Sequence, residues 1–223
     1  MKNHWRMWGS KLIRLGFLAT VMAATSVSSG AQRADELDEL SFEDMLISVD
    51  VGSKSKFIQE FQNKEAKNQL LKGKYDPKNG DCNVEFFRNK EVLVITIPAK
   101  FLFDPNEVDL KTSADEYLRP IKRYLKNPDT YRVLLVMHTD NTGTQKYRDE
   151  LTVDRVNAVF DWFEDQGSDT SYLFPYAMGD DLPLPGNEDN DSQSKRDANR
   201  RLEIYLMPGT KMLEQAKKGR IEF

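Results

Sequence analysis

The chain has 223 residues, 39% of them hydrophobic and 30% charged, with 32 Lys and Arg against 36 Asp and Glu and a single cysteine. That length suits one domain of ordinary size with an extension, and a lone Cys82 excludes an intramolecular disulfide and reads as a packed thiol. The acidic balance argues against a nucleic-acid partner, and the chain has neither an internal repeat nor a glycine-rich phosphate loop.

At the N-terminus, Lys2, Arg6, Lys11 and Arg14 precede an apolar run from Leu15 to Ala24, and the small residues Ser29 and Ala31 fit a cleavage site before Gln32. The run is about half of the roughly 20 apolar residues that a spanning helix needs, so residues 1–31 read as a signal peptide rather than an anchor. Without its four bases, 28 Lys and Arg face 36 Asp and Glu, a net charge of −8. No cysteine stands near the cleavage point to carry a lipid, and the expectation is a soluble periplasmic protein.

Residues 32–80 are expected to form an N-terminal arm. Its first part is acidic and gives only a short alternation at Met45, Ile47 and Val49, which predicts a loosely held segment. Phe57, Ile58, Phe61, Leu70 and Leu71 interleave with polar residues and predict a helix over 55–72 with a polar middle. The turn formers from Tyr75 to Asp81 mark the boundary of the main domain, residues 81–209.

Beyond it, Asn83 to Phe87 and Glu91 to Ile97 are β-rich runs separated by Arg88-Asn89-Lys90 and read as a hairpin. Ser113 with Glu116 has the form of a capping box ahead of Leu118, Ile121, Tyr124 and Leu125. Pro120 either bends this helix or divides it in two. Val133 to Met137 is apolar throughout and fits a strand covered on both faces. A helix is expected from about Val153 to Gln166, with Thr152 as N-cap and Gly167 as the left-handed C-terminal cap. Tyr172 to Met178 and Leu202 to Leu206 complete the strands, and the tail 210–223 reads as a solvated end. The order β-β-α-β-α-β-β implies an α+β sandwich, a mixed sheet with two helices on one face.

Two charged residues stand out at one strand-loop-helix connection. Asp140 leaves the apolar strand into the turn Asn141-Thr142-Gly143, where its carboxylate either bonds its own backbone or accepts from a ligand ammonium. Arg155, three residues after Thr152, would be a cation at a helix N-terminus, which costs a few tenths to about 1 kcal/mol unless an anion is present. It reads as a carboxylate grip or as an internal ion pair to Asp154, Asp149 or Asp140. A ligand carrying ammonium and carboxylate on one carbon would satisfy both residues.

Phe101-Leu102-Phe103-Asp104-Pro105-Asn106, His138-Thr139-Asp140, Leu151-Thr152 with Arg155, and Asn199-Arg200-Arg201, in this order and spacing, resemble the C-terminal peptidoglycan-binding domain of the OmpA family. The resemblance covers roughly residues 83 to 207. It implies the family's βαβαβ sandwich, here preceded by a short partly helical arm, and no β-barrel. It further implies that Asp140 and Arg155 grip the free amino-acid end of diaminopimelate in a peptidoglycan stem peptide, that Asn106 and Arg200 join the pocket, and that Thr139, Gly143 and Thr152 support it. The partner would be peptidoglycan, and the location periplasmic, at the cell wall or outer membrane.

Two departures bear on function. Arg148 stands where the family usually has asparagine, and either strengthens the carboxylate grip or fills the ligand's space. The arm at 32–72 replaces a barrel or lipid anchor, and either docks an outer-membrane or envelope protein or packs on its own domain. The alternative function is therefore a scaffolding module of an envelope assembly with a degenerate pocket. An enzyme is not expected. His138 and Asp140 lack a nucleophile in any recognisable motif and fall short of the three ligands of a catalytic zinc, so neither metal nor cofactor is implied.

Overall fold

A computed structural model describes residues 34–76, 78 and 82–222. The leader assigned to 1–31 and most of the boundary turn at 77–81 lie outside the described residues.

Five strands, β1 (Asn83–Phe87), β2 (Val92–Pro98), β3 (Tyr131–His138), β4 (Leu173–Ala177) and β5 (Arg201–Pro208), form one mixed sheet in the order β1-β2-β5-β3-β4. β3 and β4 are parallel, and the other neighbours antiparallel. All eight residues of β3 are buried, as its unbroken apolar run requires. The β1–β2 turn places Arg88, Asn89 and Lys90 in the left-handed region, and Arg88 offsets that strain by donating to the carbonyls of Leu46 and Val49.

Two layers cover the sheet. Against one face lie α3 (Ser55–Glu65), the segment 112–125 and α5 (Gln145–Asp165). Tyr131 marks this face: its ring meets Tyr124 edge-on and its hydroxyl donates to Gln62 at 2.9 Å. Gln62 is the polar middle of α3, and its amide also donates to the carbonyls of Glu91 and Leu206, so a fully buried polar group is satisfied. The helix predicted over 55–72 ends at Glu65 and continues as a π-type turn, Ala66–Leu70.

Against the other face lies the first part of the arm, with α1 (Ala34–Leu37) and α2 (Phe42–Ile47). The expectation of a loosely held segment is corrected: Leu37, Phe42, Met45, Val49 and Val51 are buried in the same core as the sheet. Met45 and Val49 point inward while Ile47 between them is 75% exposed, so the spacing is helical rather than alternating. Phe42 sits between the rings of Tyr176 and Tyr205, and Tyr176 donates its hydroxyl to the Leu40 carbonyl.

Three other expectations change. Ser113 caps nothing: a single α-turn, α4 (Asp115–Leu118), passes into a 3-10 helix, Arg119–Leu125, at whose start Pro120 removes the donor an α-helix would need. α5 begins at Gln145, where Thr144 accepts from the Tyr147 N–H at 3.2 Å, so Thr152 is an interior residue. The first two turns of α5 are exposed and polar, which hid them from an apolar period; its end at Gly167 is as expected, with Ser168 and Gly167 donating to Phe163 and Glu164. The tail is not a solvated end: α7 (Thr210–Lys217) buries Met212 and Ala216. A side chain at Gly209 would place its Cβ 2.1 Å from the Asp129 carbonyl, so only glycine lets α7 approach there. Between β4 and β5 lies α6 (Gln193–Asn199), whose sequence has no apolar face to announce it.

Candidate functional site

The site forms where β3 ends. His138 delivers Thr139 and Asp140 to the loop before α5, and the Thr139 N–H donates to the Gly179 carbonyl beyond β4 at 2.8 Å. Asp140 is 2% exposed. One carboxylate oxygen accepts from the Thr142 N–H at 2.7 Å, and the other pairs with Arg200. Of the two sequence readings of Asp140, the structure shows the turn bond to its own backbone, and the cation it faces is Arg200 from within the chain. Arg200 leads into β5 from α6 and shares its guanidinium with Asp197, leaving its side chain about a third exposed.

Arg155 lies nearly three turns inside α5, so the argument from the helix dipole does not apply to it. Nor does it pair with Asp154, Asp149 or Asp140. Its Nε donates to the Glu107 carbonyl at 2.9 Å, one Nη to the Asp104 carbonyl at 3.2 Å, and its plane lies over Phe103. It therefore fastens the 103–107 segment to α5, and its other Nη makes no hydrogen bond among the described residues. Burial, with Arg200 as a second cation nearby, lowers its proton affinity, which makes an added carboxylate more welcome. Asn106 adopts a positive φ of 63° at the tip of that segment, and its Oδ1 accepts from the Tyr147 hydroxyl at 3.1 Å.

Residues 102–197 match the OmpA family. Over that segment the chain is similar to the OmpA family. Its fold is similar to that of a MotB-like protein from Desulfovibrio vulgaris, with a TM-score of 0.59 and 22% identity over 69% of this chain and 98% of that one. The cell wall anchor of the T6SS from Pseudomonas aeruginosa gives a TM-score of 0.50 at 25% identity, covering 60% of this chain and 92% of that one. The periplasmic domain of Helicobacter pylori MotB gives 0.51 at 20% identity, over 66% and 91%. A curated relative, the photosystem I P700 chlorophyll a apoprotein A2 of Gloeobacter violaceus, is 26% identical over 117 residues. That stretch is 51% of this chain but 13% of the relative's length.

Within the matched segment, Arg148 spends its donors on protein partners: Nε on Asp180 at 2.6 Å, and Nη1 on the carbonyls of Gly143 at 2.7 Å and Asn141 at 3.4 Å. Thr152 donates to the Arg148 and Asp149 carbonyls and accepts from the Gly179 N–H. Gly143 has a φ of 85° and lies against the Tyr147 ring. Sequence reasoning missed Tyr147, Asp180 and Asp197, the partners of Asn106, Arg148 and Arg200; each is one polar residue among many in exposed sequence, with no local signal.

His138 is fully buried, its Nε2 3.6 Å from Glu203. Burial lowers its proton affinity. Burial alone would push the Glu203 carboxyl up, but His138, Arg201 and Tyr205 outweigh it and hold it at about 2. Among the described residues, no helix is long and apolar enough to cross a membrane.

Proposed function

We propose that this domain binds peptidoglycan non-covalently through the amino-acid head group of diaminopimelate in a stem peptide, and so anchors or organises the cell envelope from the periplasm. The observation that carries the reading is the Asp140–Arg200 pair beside Arg155: a buried carboxylate already facing a cation, next to a guanidinium with a donor to spare. In the bound state the ligand ammonium takes the place of Arg200 at Asp140. The displaced guanidinium and the spare Nη of Arg155 then face the ligand carboxylate. Each such bond contributes roughly 1.5–3 kcal/mol, and two or three of them less ordering costs give millimolar to micromolar affinity, enough for a multivalent polymer. The likeness to a cell wall anchor supports the partner class, and the leader read from the sequence supports the compartment.

Scaffolding in an envelope assembly is the second reading, and one observation favours it: Arg200 occupies Asp140 from within the chain. Co-sedimentation of the mature protein with diaminopimelate-type sacculi separates the two. The first reading expects wild type to pellet and the folded Asp140→Ala/Arg155→Ala variant to stay in solution. Wild type remaining in the supernatant would sink it.

A further inference from the structure

Resting on the reading of Asp140 as an ammonium acceptor, the geometry points to Arg148 as a positioning residue: its ion pair with Asp180 ties the Asp140 loop to the turn after β4 and so aims the Asp140 carboxylate. Arg148 makes no hydrogen bond to Asp140 itself and reaches it through the backbone. Its side chain is 16% exposed and that of Asp180 is 21%, so the pair is shielded more than a surface ion pair. From the same guanidinium, Nη1 holds the carbonyl of Gly143, one residue beyond the Thr142 amide that orients Asp140.

The two loops share a closed circuit of bonds. Thr139, next to Asp140, donates to Gly179; Gly179 donates to Thr152; Thr152 donates back to the carbonyls of Arg148 and Asp149. Gly179 takes a φ of 51°, which favours glycine, and a Cβ there would lie 2.8 Å from the Asp149 carboxylate and push it aside. Charge makes the arginine necessary to this circuit. Burial, then the charges of Asp181 and Asp180, push the Asp149 carboxyl up while Arg148 pulls it down. Without the guanidinium, three carboxylates crowd the turn after β4 and drive it away from Thr139. The Asp140 loop then loses its support from Gly179 and its hold through Gly143 together.

The test uses Arg148→Ala, Asp180→Asn and the double variant in the full mature chain, with two readouts. Amide hydrogen exchange at Thr139 and Thr142 reads the loop, with Leu134 in β3 reporting that the fold is intact. Co-sedimentation with native sacculi and with sacculi whose free amines have been acetylated reads the ammonium site. Both single variants are expected to speed exchange at Thr139 and Thr142, and to weaken binding to native sacculi about tenfold, the scale of one lost charge-assisted bond. The preference for native over acetylated sacculi should fall towards one, and the double variant should be no worse than either single one. A merely structural role would leave that preference unchanged. Wild-type exchange at Thr142 in Arg148→Ala, or an undiminished preference for free amines, overturns the proposal. If wild type itself shows no such preference, the ammonium reading fails and the positioning role fails with it, even where the variants speed loop exchange.

Discussion

Strand β5 turns two unlike faces to its neighbours. Leu202, Ile204 and Leu206 lie in the apolar core on the helix-covered face with Tyr131, whereas Arg201, Glu203 and Tyr205 lie on the face that the arm covers. On the second side Glu203 accepts from Arg201 at 2.7 Å and from Tyr205 at 2.6 Å, with His138 across the strand pair. Apolar burial is non-directional and tolerates repacking. A buried charge set stands only while every member keeps its partner. The two faces should therefore fail in different ways.

The largest expected effect is on the polar face. Glu203→Ala leaves Arg201 and His138 buried without their carboxylate, and should cost about 3–5 kcal/mol in urea unfolding at neutral pH. A cost under about 1 kcal/mol would mean that water replaces the carboxylate and that the arm does not seal this face.

Next in size is the response of wild type to acid. Folding lowers the proton affinity of His138, so its contribution is complete above the ordinary value of 6.5 and falls as pH drops below it. Glu203 is held at about 2 against an ordinary 4.5, so its contribution is complete above 4.5 and is lost as pH falls towards 2. Both act in one direction. Unfolding free energy measured from pH 8 to 3 should decline in two stages, and Glu203→Gln should lack the lower one.

The smallest effect belongs to the apolar face. Ile204→Val, one residue along the same strand, should cost about 1 kcal/mol and leave the shape of the pH profile unchanged. A pH-dependent cost would show that the faces are coupled through the strand.

The same contrast explains what the sequence discloses. β2, β3 and β5 are readable because apolar runs and alternation follow directly from burial, and the motifs around Asp140 and Arg155 carry the family resemblance. The first part of the arm escapes because its five buried residues, Leu37 to Val51, are spaced over two short helices and a loop, too few for any period to show. Glu203 looks like an ordinary polar residue until Phe42 and its neighbours cover the face beneath it. Arg155 was misplaced by two turns because the start of α5 is exposed and polar, and Thr144, which caps it, is one threonine among several. Asp180, the partner of Arg148, comes from a segment far along the chain, and only the fold brings it near.

The strand order has a consequence for the birth of the molecule. β5 lies at the centre of the sheet, paired with β2 on one side and β3 on the other, yet it is the last strand of the chain. A chain that emerges N-terminus first can close the β1–β2 hairpin and lay β4 beside β3, but these two halves share no strand contact until residues 201–208 arrive. The join is non-local and hence slow, and both inner edges stay open until it forms. Arg200, the residue just before that strand, brings Asp140 its counter-charge, so the binding site and the sheet are completed in one event.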